Sequence, residues 1–116
     1  MADERRELLR GTLDLLILKV LSAGKAHGYT IVRRIQERSE GVLLVEEGSL
    51  YPALHRLERR KWLEAEWGLS EGNRKAKFYR LSRTGRTELA ARERDWREVS
   101  GAIESVLRPA LEGGLG

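Results

Sequence analysis

Tyr51, Pro52, His55, Arg56 and Arg59 are spaced to fall on or beside one side of a short helix. Leu50, Ala53, Leu54 and Leu57 fall on its other side. Tyrosine, histidine and arginine can hydrogen-bond to base edges and neutralise phosphates. An apolar back with such a front is what a helix needs to lie in a DNA major groove while packed on a domain. A surface helix with no nucleic-acid partner can carry the same pattern, so the surrounding residues have to decide. Tyr51 sits on the flank, where its ring can join the core and its hydroxyl can reach outward. Ser49, with the first backbone N–H groups of the helix, could hold a phosphate against the positive end of the helix dipole.

Other chemistries find little support. The chain has no cysteine, so disulfides, thiolate zinc sites and cysteine nucleophiles are excluded. Its two histidines, His27 and His55, have no second histidine one turn away, and no metal site is expected. His27, ahead of a glycine at a helix start, suits capping or packing, and His55 suits a DNA contact. Ser49 has no histidine or lysine at motif spacing, which argues against a serine nucleophile. Glu46-Glu47 suits the dipole of the following helix better than paired-acid catalysis. No phosphate-binding glycine loop is seen. The expectation is a protein that is not an enzyme and uses no cofactor.

Charge is unevenly distributed. The 116 residues carry a net +4, yet the segment from His55 to Arg86 has ten Lys/Arg against four Asp/Glu, leaving it at +6 and the remainder at −2. A basic middle suits a polyanionic partner, although an arginine-rich solvated face has the same composition. No apolar run of about 18 residues exists to cross a membrane. The first ten residues are charged and do not form a secretory signal. A cytoplasmic location, with no membrane partner, is expected.

The elements that must position these side chains follow from pattern. Thr12 is a candidate N-cap, and Leu13, Leu16, Ile17, Val20 and Leu21 form a helical stripe ending near Gly24. Leu15 and Leu18 lie off that stripe, so this helix is apolar almost all round and part of it could face a partner subunit. A second helix is expected from Ala26-His27-Gly28-Tyr29 to about Ser39, burying Tyr29, Ile31, Val32 and Ile35. A short strand is expected at Val42–Val45, and the two-faced helix from about Gly48 to Arg60. Two alternating runs, at Leu63–Trp67 and Ala76–Leu81, flank the turn-forming cluster Ser70-Glu71-Gly72-Asn73-Arg74 and predict a β-hairpin. Asn73, Arg74, Lys75 and Lys77 would give it phosphate contacts, while Trp62 and Trp67 are expected in the core. In the last helix, Leu89, Trp96, Ile103 and Ala110 recur every seven residues, with Val99 and Val106 at the matching offset and Arg92 breaking the pattern. Such a seam predicts helix–helix association. Trp96 on it could either pack an interface or line a cavity for an effector. Pro109 should end the helix.

The predicted fold is mostly α with a small β-hairpin wing: a winged helix-turn-helix domain followed by a C-terminal dimerisation helix. Residues 1–11 would form an arm or short helix, 12–83 the DNA-binding domain, 84–110 the dimerisation helix and 111–116 a flexible tail. The run Gly48-Ser49-Leu50-Tyr51-Pro52-Ala53-Leu54-His55-Arg56-Leu57-Glu58 resembles the recognition helix of the PadR family of bacterial transcriptional regulators. Leu13-Asp14-Leu15-Leu16-Ile17-Leu18 and His27-Gly28-Tyr29 resemble the family's first helix and second-helix opening. Lys77-Phe78-Tyr79-Arg80-Leu81-Ser82-Arg83-Thr84-Gly85 resembles its wing and final-helix start. The likeness spans roughly residues 9 to 86. Lys61 stands where the family usually has glycine, and Ser82 where it usually has threonine.

The resemblance implies a homodimer that binds a near-palindromic double-stranded operator, usually as a repressor, dimerising through the C-terminal helix with help from the N-terminal segment. It also implies that a small aromatic or drug-like effector can bind near the interface, for which Leu15, Leu18, Leu89, Trp96, Val99, Ile103 and Val106 are the candidate residues. The alternative is a winged-helix protein-interaction module that does not bind DNA.

Overall fold

The computed structural model describes residues 12–110. The arm or helix expected for residues 1–11 and the tail expected for 111–116 lie outside the described residues. Among the described residues, four helices and three strands follow in the order α1 (Leu13–Leu21), β1 (Ala26–His27), α2 (Gly28–Arg38), α3 (Glu47–Arg59), β2 (Leu63–Leu69), β3 (Lys75–Leu81) and α4 (Arg83–Leu107).

One apolar core holds them. Leu13, Ile17, Leu18, Val20 and Leu21 of α1 join Ile31 and Ile35 of α2, and Leu50, Ala53, Leu54 and Leu57 of α3. Leu63, Tyr79, Leu81 and Leu89 close it from the sheet and from α4. Leu18, expected off the buried stripe and available to a partner, is instead fully buried. α1 is enclosed on several sides, by α2, α3 and the sheet as well as α4. Leu89 is likewise taken up by the protomer's own core, which removes it from the exposed seam.

The short strand lies before α2, not after it. Ala26 pairs with Tyr79 and His27 with Phe78, so β1 is the third strand of an antiparallel sheet ordered β1-β3-β2. Residues 42–45 form no strand: Val42 and Leu44 are exposed, while Val45 is buried and Leu43 packs partly buried against the core. Two β-branched ends resemble a strand locally, but a strand needs a ladder partner, and β3 has already given its free edge to β1. Tyr29, expected to be buried, is also exposed and lies under the Arg33 guanidinium.

β2 and β3 pair throughout, from Leu63 with Leu81 to Leu69 with Lys75. Their turn closes with the Asn73 amide donating to the Ser70 carbonyl and the Ser70 amide to that of Arg74, with Asn73 left-handed at φ 58°. Asparagine tolerates that conformation. Helices packed beside a sheet that ends in a projecting hairpin make a winged helix-turn-helix.

α4 starts from an N-cap in which the Ser82 hydroxyl accepts from the Gly85 amide at 3.0 Å. The same hydroxyl lies 2.7 Å from the Lys61 carbonyl, which ties the end of α3 to the start of α4. Serine therefore does what threonine would do there. Lys61 has φ 66°, so the backbone is left-handed where the resemblance places glycine. Its amide and that of Trp62 close the end of α3 on the carbonyls of Glu58 and Leu57.

Candidate nucleic-acid interface

α3 presents the two faces its spacing predicts. Leu50, Ala53, Leu54 and Leu57 are buried, whereas Ser49, Tyr51, Pro52, His55, Arg56 and Arg59 are exposed. The buried side fixes the helix on the domain and leaves the cationic, hydrogen-bonding side to solvent. Pro52 lies inside the helix. It supplies no N–H for an intrahelical bond and sets a rigid apolar ring on the outer face. Tyr51 is half out and half in. A Cβ built on Gly28 would come within 3.0 Å of the Tyr51 hydroxyl oxygen, so the ring rests where glycine at the start of α2 leaves space. Ser49 is exposed near the amino end of α3, but Glu47 stands in the same first turn. That carboxylate offsets the helix dipole and weakens the site for a phosphate.

Two of the expected contacts are already engaged within the protomer. The Arg56 guanidinium donates to the Asp14 carboxylate of α1 at 2.6 Å, leaving its side chain 47% exposed. The Lys77 ammonium donates to Glu58 of α3 at 3.2 Å. Sequence reasoning named neither carboxylate as part of the site. Asp14 is a charge within an otherwise apolar run, which was its only signal, and Glu58 reads as an ordinary surface residue. The second pair brings the wing to the recognition helix. Asn73, Arg74 and Lys75 at the wing's tip are all exposed, so the wing and the outer face of α3 form one surface rich in cations.

The two histidines stand in different surroundings, and the His27 side chain makes no capping hydrogen bond to α2. His55 is exposed on α3. His27 lies at the start of α2, where its Nε2 is 3.3 Å from the Thr30 hydroxyl and its ring packs edge-on against Phe78. Among the described residues no group of three His, Asp or Glu side chains could hold a metal. Burial raises the Tyr79 phenol above its ordinary value, with Lys77 opposing that shift, so Tyr79 stays neutral behind the wing. Trp62 is partly buried between the guanidinium groups of Arg60 and Arg92, at 5.0 and 4.8 Å. Arg92, the residue that breaks the heptad, thus lies over the Trp62 ring. Trp67, expected in the core, is 63% exposed.

A second feature lies between α1 and α4. Thr12, Leu15, Glu88, Ala91, Arg92, Asp95, Trp96 and Val99 line a groove of about 460 Å³. Leu15 of α1 therefore meets Trp96 and Val99 of α4 in one place. Lys19 of α1 pairs with Glu93 of α4 at 3.1 Å and holds the two helices together. Hydrogen bonds from Arg97 and Lys19 lower the Glu93 pKa. Beyond Glu93 the helix projects. Trp96, Val99, Ile103, Val106 and Leu107 are 47–82% exposed, an apolar stripe left largely open by the other described residues. No helix among the described residues is long and apolar enough to cross a membrane.

Residues 17–91 match the model of the "Transcriptional regulator PadR-like family". The chain is 33% identical over 108 residues to the transcriptional regulator Rv3488 of Mycobacterium tuberculosis, covering 93% of this chain and 91% of that one. Among solved structures, a PadR-like transcriptional regulator from Bacillus cereus superposes with a TM-score of 0.77 at 27% identity, covering 90% of this chain and 99% of that one. A PadR family regulator from Eggerthella lenta superposes at 0.78 with 28% identity, covering 94% and 93%. A regulator from Clostridium thermocellum shares the fold at a TM-score of 0.80 and 24% identity, covering 88% and 99%. The family match spans the recognition helix, the wing and the start of α4, and the chain belongs to the PadR-like family of transcriptional regulators.

Proposed function

We propose that this regulator is a homodimeric, sequence-specific DNA-binding repressor that inserts α3 into the major groove of a near-palindromic operator and lays its wing on the flanking backbone. The observation that carries this reading is the joining of two cationic surfaces by the Glu58–Lys77 pair. Ser49, Tyr51, Pro52, His55, Arg56 and Arg59 then face base edges and phosphates, and Asn73, Arg74, Lys75 and Lys77 hold backbone. The phosphate contacts set affinity and its salt dependence, and the base contacts set sequence. Dimerisation uses the uncovered stripe Trp96, Val99, Ile103 and Val106. It sets the two recognition helices at a separation matching half-sites about 34 Å apart.

An aromatic effector in the groove beside Leu15, Trp96 and Val99 releases the operator by tilting α4 against α1. The groove's size suits a small ligand. Gel-shift binding of the purified protein to its own upstream DNA, with random DNA as competitor and at two salt concentrations, tests the main reading. Selective, salt-sensitive retention is expected, with a loss of about tenfold for each of Arg56→Ala and Lys77→Ala. Equal, weak retention of both DNAs would instead support a winged-helix protein-interaction module.

A further inference from the structure

The wing carries an uncovered apolar surface that its cations do not explain. Leu63 is buried and Ala65 partly buried, but Trp67 and Leu69, farther along the same strand, are 63% and 66% exposed. Alternate residues of a strand share a face, so all four point the same way. That face turns toward the recognition helix. Trp67 is paired in register with Lys77, whose ammonium meets Glu58 of α3. Leu69 is paired with Lys75, whose ammonium stands 5.3 Å from the centre of the Trp67 ring.

The reverse face of the hairpin is satisfied internally. Arg80 pairs with Glu64 and Glu66, and Lys25 with Glu66. Phe78 covers Gly68 and packs against His27. The open indole therefore lies on the side of the hairpin that also carries Lys75 and Lys77 and adjoins α3.

We propose that Trp67 is an apolar DNA contact of the wing, entering the minor groove against deoxyribose and base edges while Arg74 and Lys75 rest on the phosphates. The proposal rests on the DNA-binding reading above. Charge complementarity selects the occupant: an aromatic flanked by Lys75 and Lys77 suits an acidic partner with apolar surface recessed between its charges. A minor groove offers sugar and base edges between two phosphate rows, and apolar side chains bind there by displacing water and partly unstacking a base step. The wing then contributes affinity that persists when salt screens its lysines.

The test uses the full chain and a 30-base-pair duplex that the wild-type protein selects from a random pool. Trp67→Ala is expected to weaken binding about tenfold with an unchanged salt slope, Trp67→Phe to retain most of the affinity, and Lys75→Ala to reduce the slope. Circular dichroism and thermal melting of each variant check that the wing stays folded. With 5-fluorotryptophan incorporated, the resonance missing in Trp67→Phe should shift when duplex is added, and netropsin, a minor-groove ligand, should reverse that shift. Unchanged affinity of Trp67→Ala for a duplex that wild type selects would overturn this inference and leave the DNA-binding reading intact. Loss of dimerisation in Trp67→Ala would also overturn it, by assigning the indole to a subunit interface. Failure of the wild-type protein to select any duplex would overturn both.

Discussion

Lys61, Gly85 and Arg56 each carry a constraint that a single substitution can expose. Lys61 adopts φ 66°, where a side chain costs about 1 kcal/mol that glycine does not. Lys61→Gly should therefore raise the melting temperature by roughly 4 °C, while removing one positive charge near the proposed DNA surface. Thermal unfolding followed by circular dichroism reads the first effect, and an unchanged or lowered midpoint would contradict it. Gly85 has the opposite requirement. A Cβ there would stand 2.1 Å from the Trp62 carbonyl oxygen, which is backbone and cannot swing aside. Gly85→Ala should destabilise by about 3 kcal/mol, measured by urea denaturation. Arg56 is held by Asp14 at 2.6 Å, and this carboxylate competes with DNA for the guanidinium. Asp14→Asn should tighten binding to random-sequence DNA by a few-fold, since a released arginine adds a phosphate contact. Weaker binding would show that Asp14 instead orients Arg56 for its contact.

At the scale of elements, α4 depends on its anchor to α1. Glu93 accepts from Lys19 and Arg97, and these bonds lower its pKa below the ordinary glutamate value. A carboxylate whose pKa is lower in the folded state contributes stability that is fully present above its unfolded pKa. That contribution is lost as pH falls through the lowered, folded value. Acidification should thus weaken the pairing of Glu93 with Arg97 on its own helix and with Lys19 on α1. A pH series of unfolding free energies should fall less steeply on the acid side for Glu93→Gln than for wild type, and parallel curves would contradict the role given to Glu93. The sheet illustrates how element pattern can mislead. Ala26-His27 is too short to read as a strand, and Val42–Val45 reads as one. Only the free edge of β3 decides between them, and that edge is set by a register some fifty residues away.

At the scale of the whole molecule, the projecting half of α4 exposes Trp96, Val99, Ile103 and Val106 on an otherwise polar helix. Apolar side chains repeating at heptad spacing gain most by meeting a second copy. Ile103→Glu places a charge in that seam. It should give a monomer in sedimentation at concentrations where wild type dimerises, with operator affinity reduced because each half-site is then bound alone. A dimer that persists unchanged would move the interface elsewhere on the chain.

The sequence alone determined the recognition helix, the hairpin and the last helix. Each rests on a local periodicity: leucines at helical spacing behind Tyr51 and Arg56, alternation around Ser70–Arg74, and a seven-residue repeat from Leu89 whose later members stay exposed. It also carried the motifs that placed the chain in its family and exposed a special backbone position at Lys61. Tertiary structure decided which apolar residues the protomer keeps for itself. Leu18 and Leu89 went to the core, while Tyr29 and Trp67 stayed outside, because burial depends on which elements stand opposite rather than on residue type. It also decided the partners of the cations. Asp14 lies 42 residues from Arg56 and Glu58 lies 19 from Lys77, and no local pattern encodes contacts at such separations. Whether an arginine is free or already held is a property of the packed molecule.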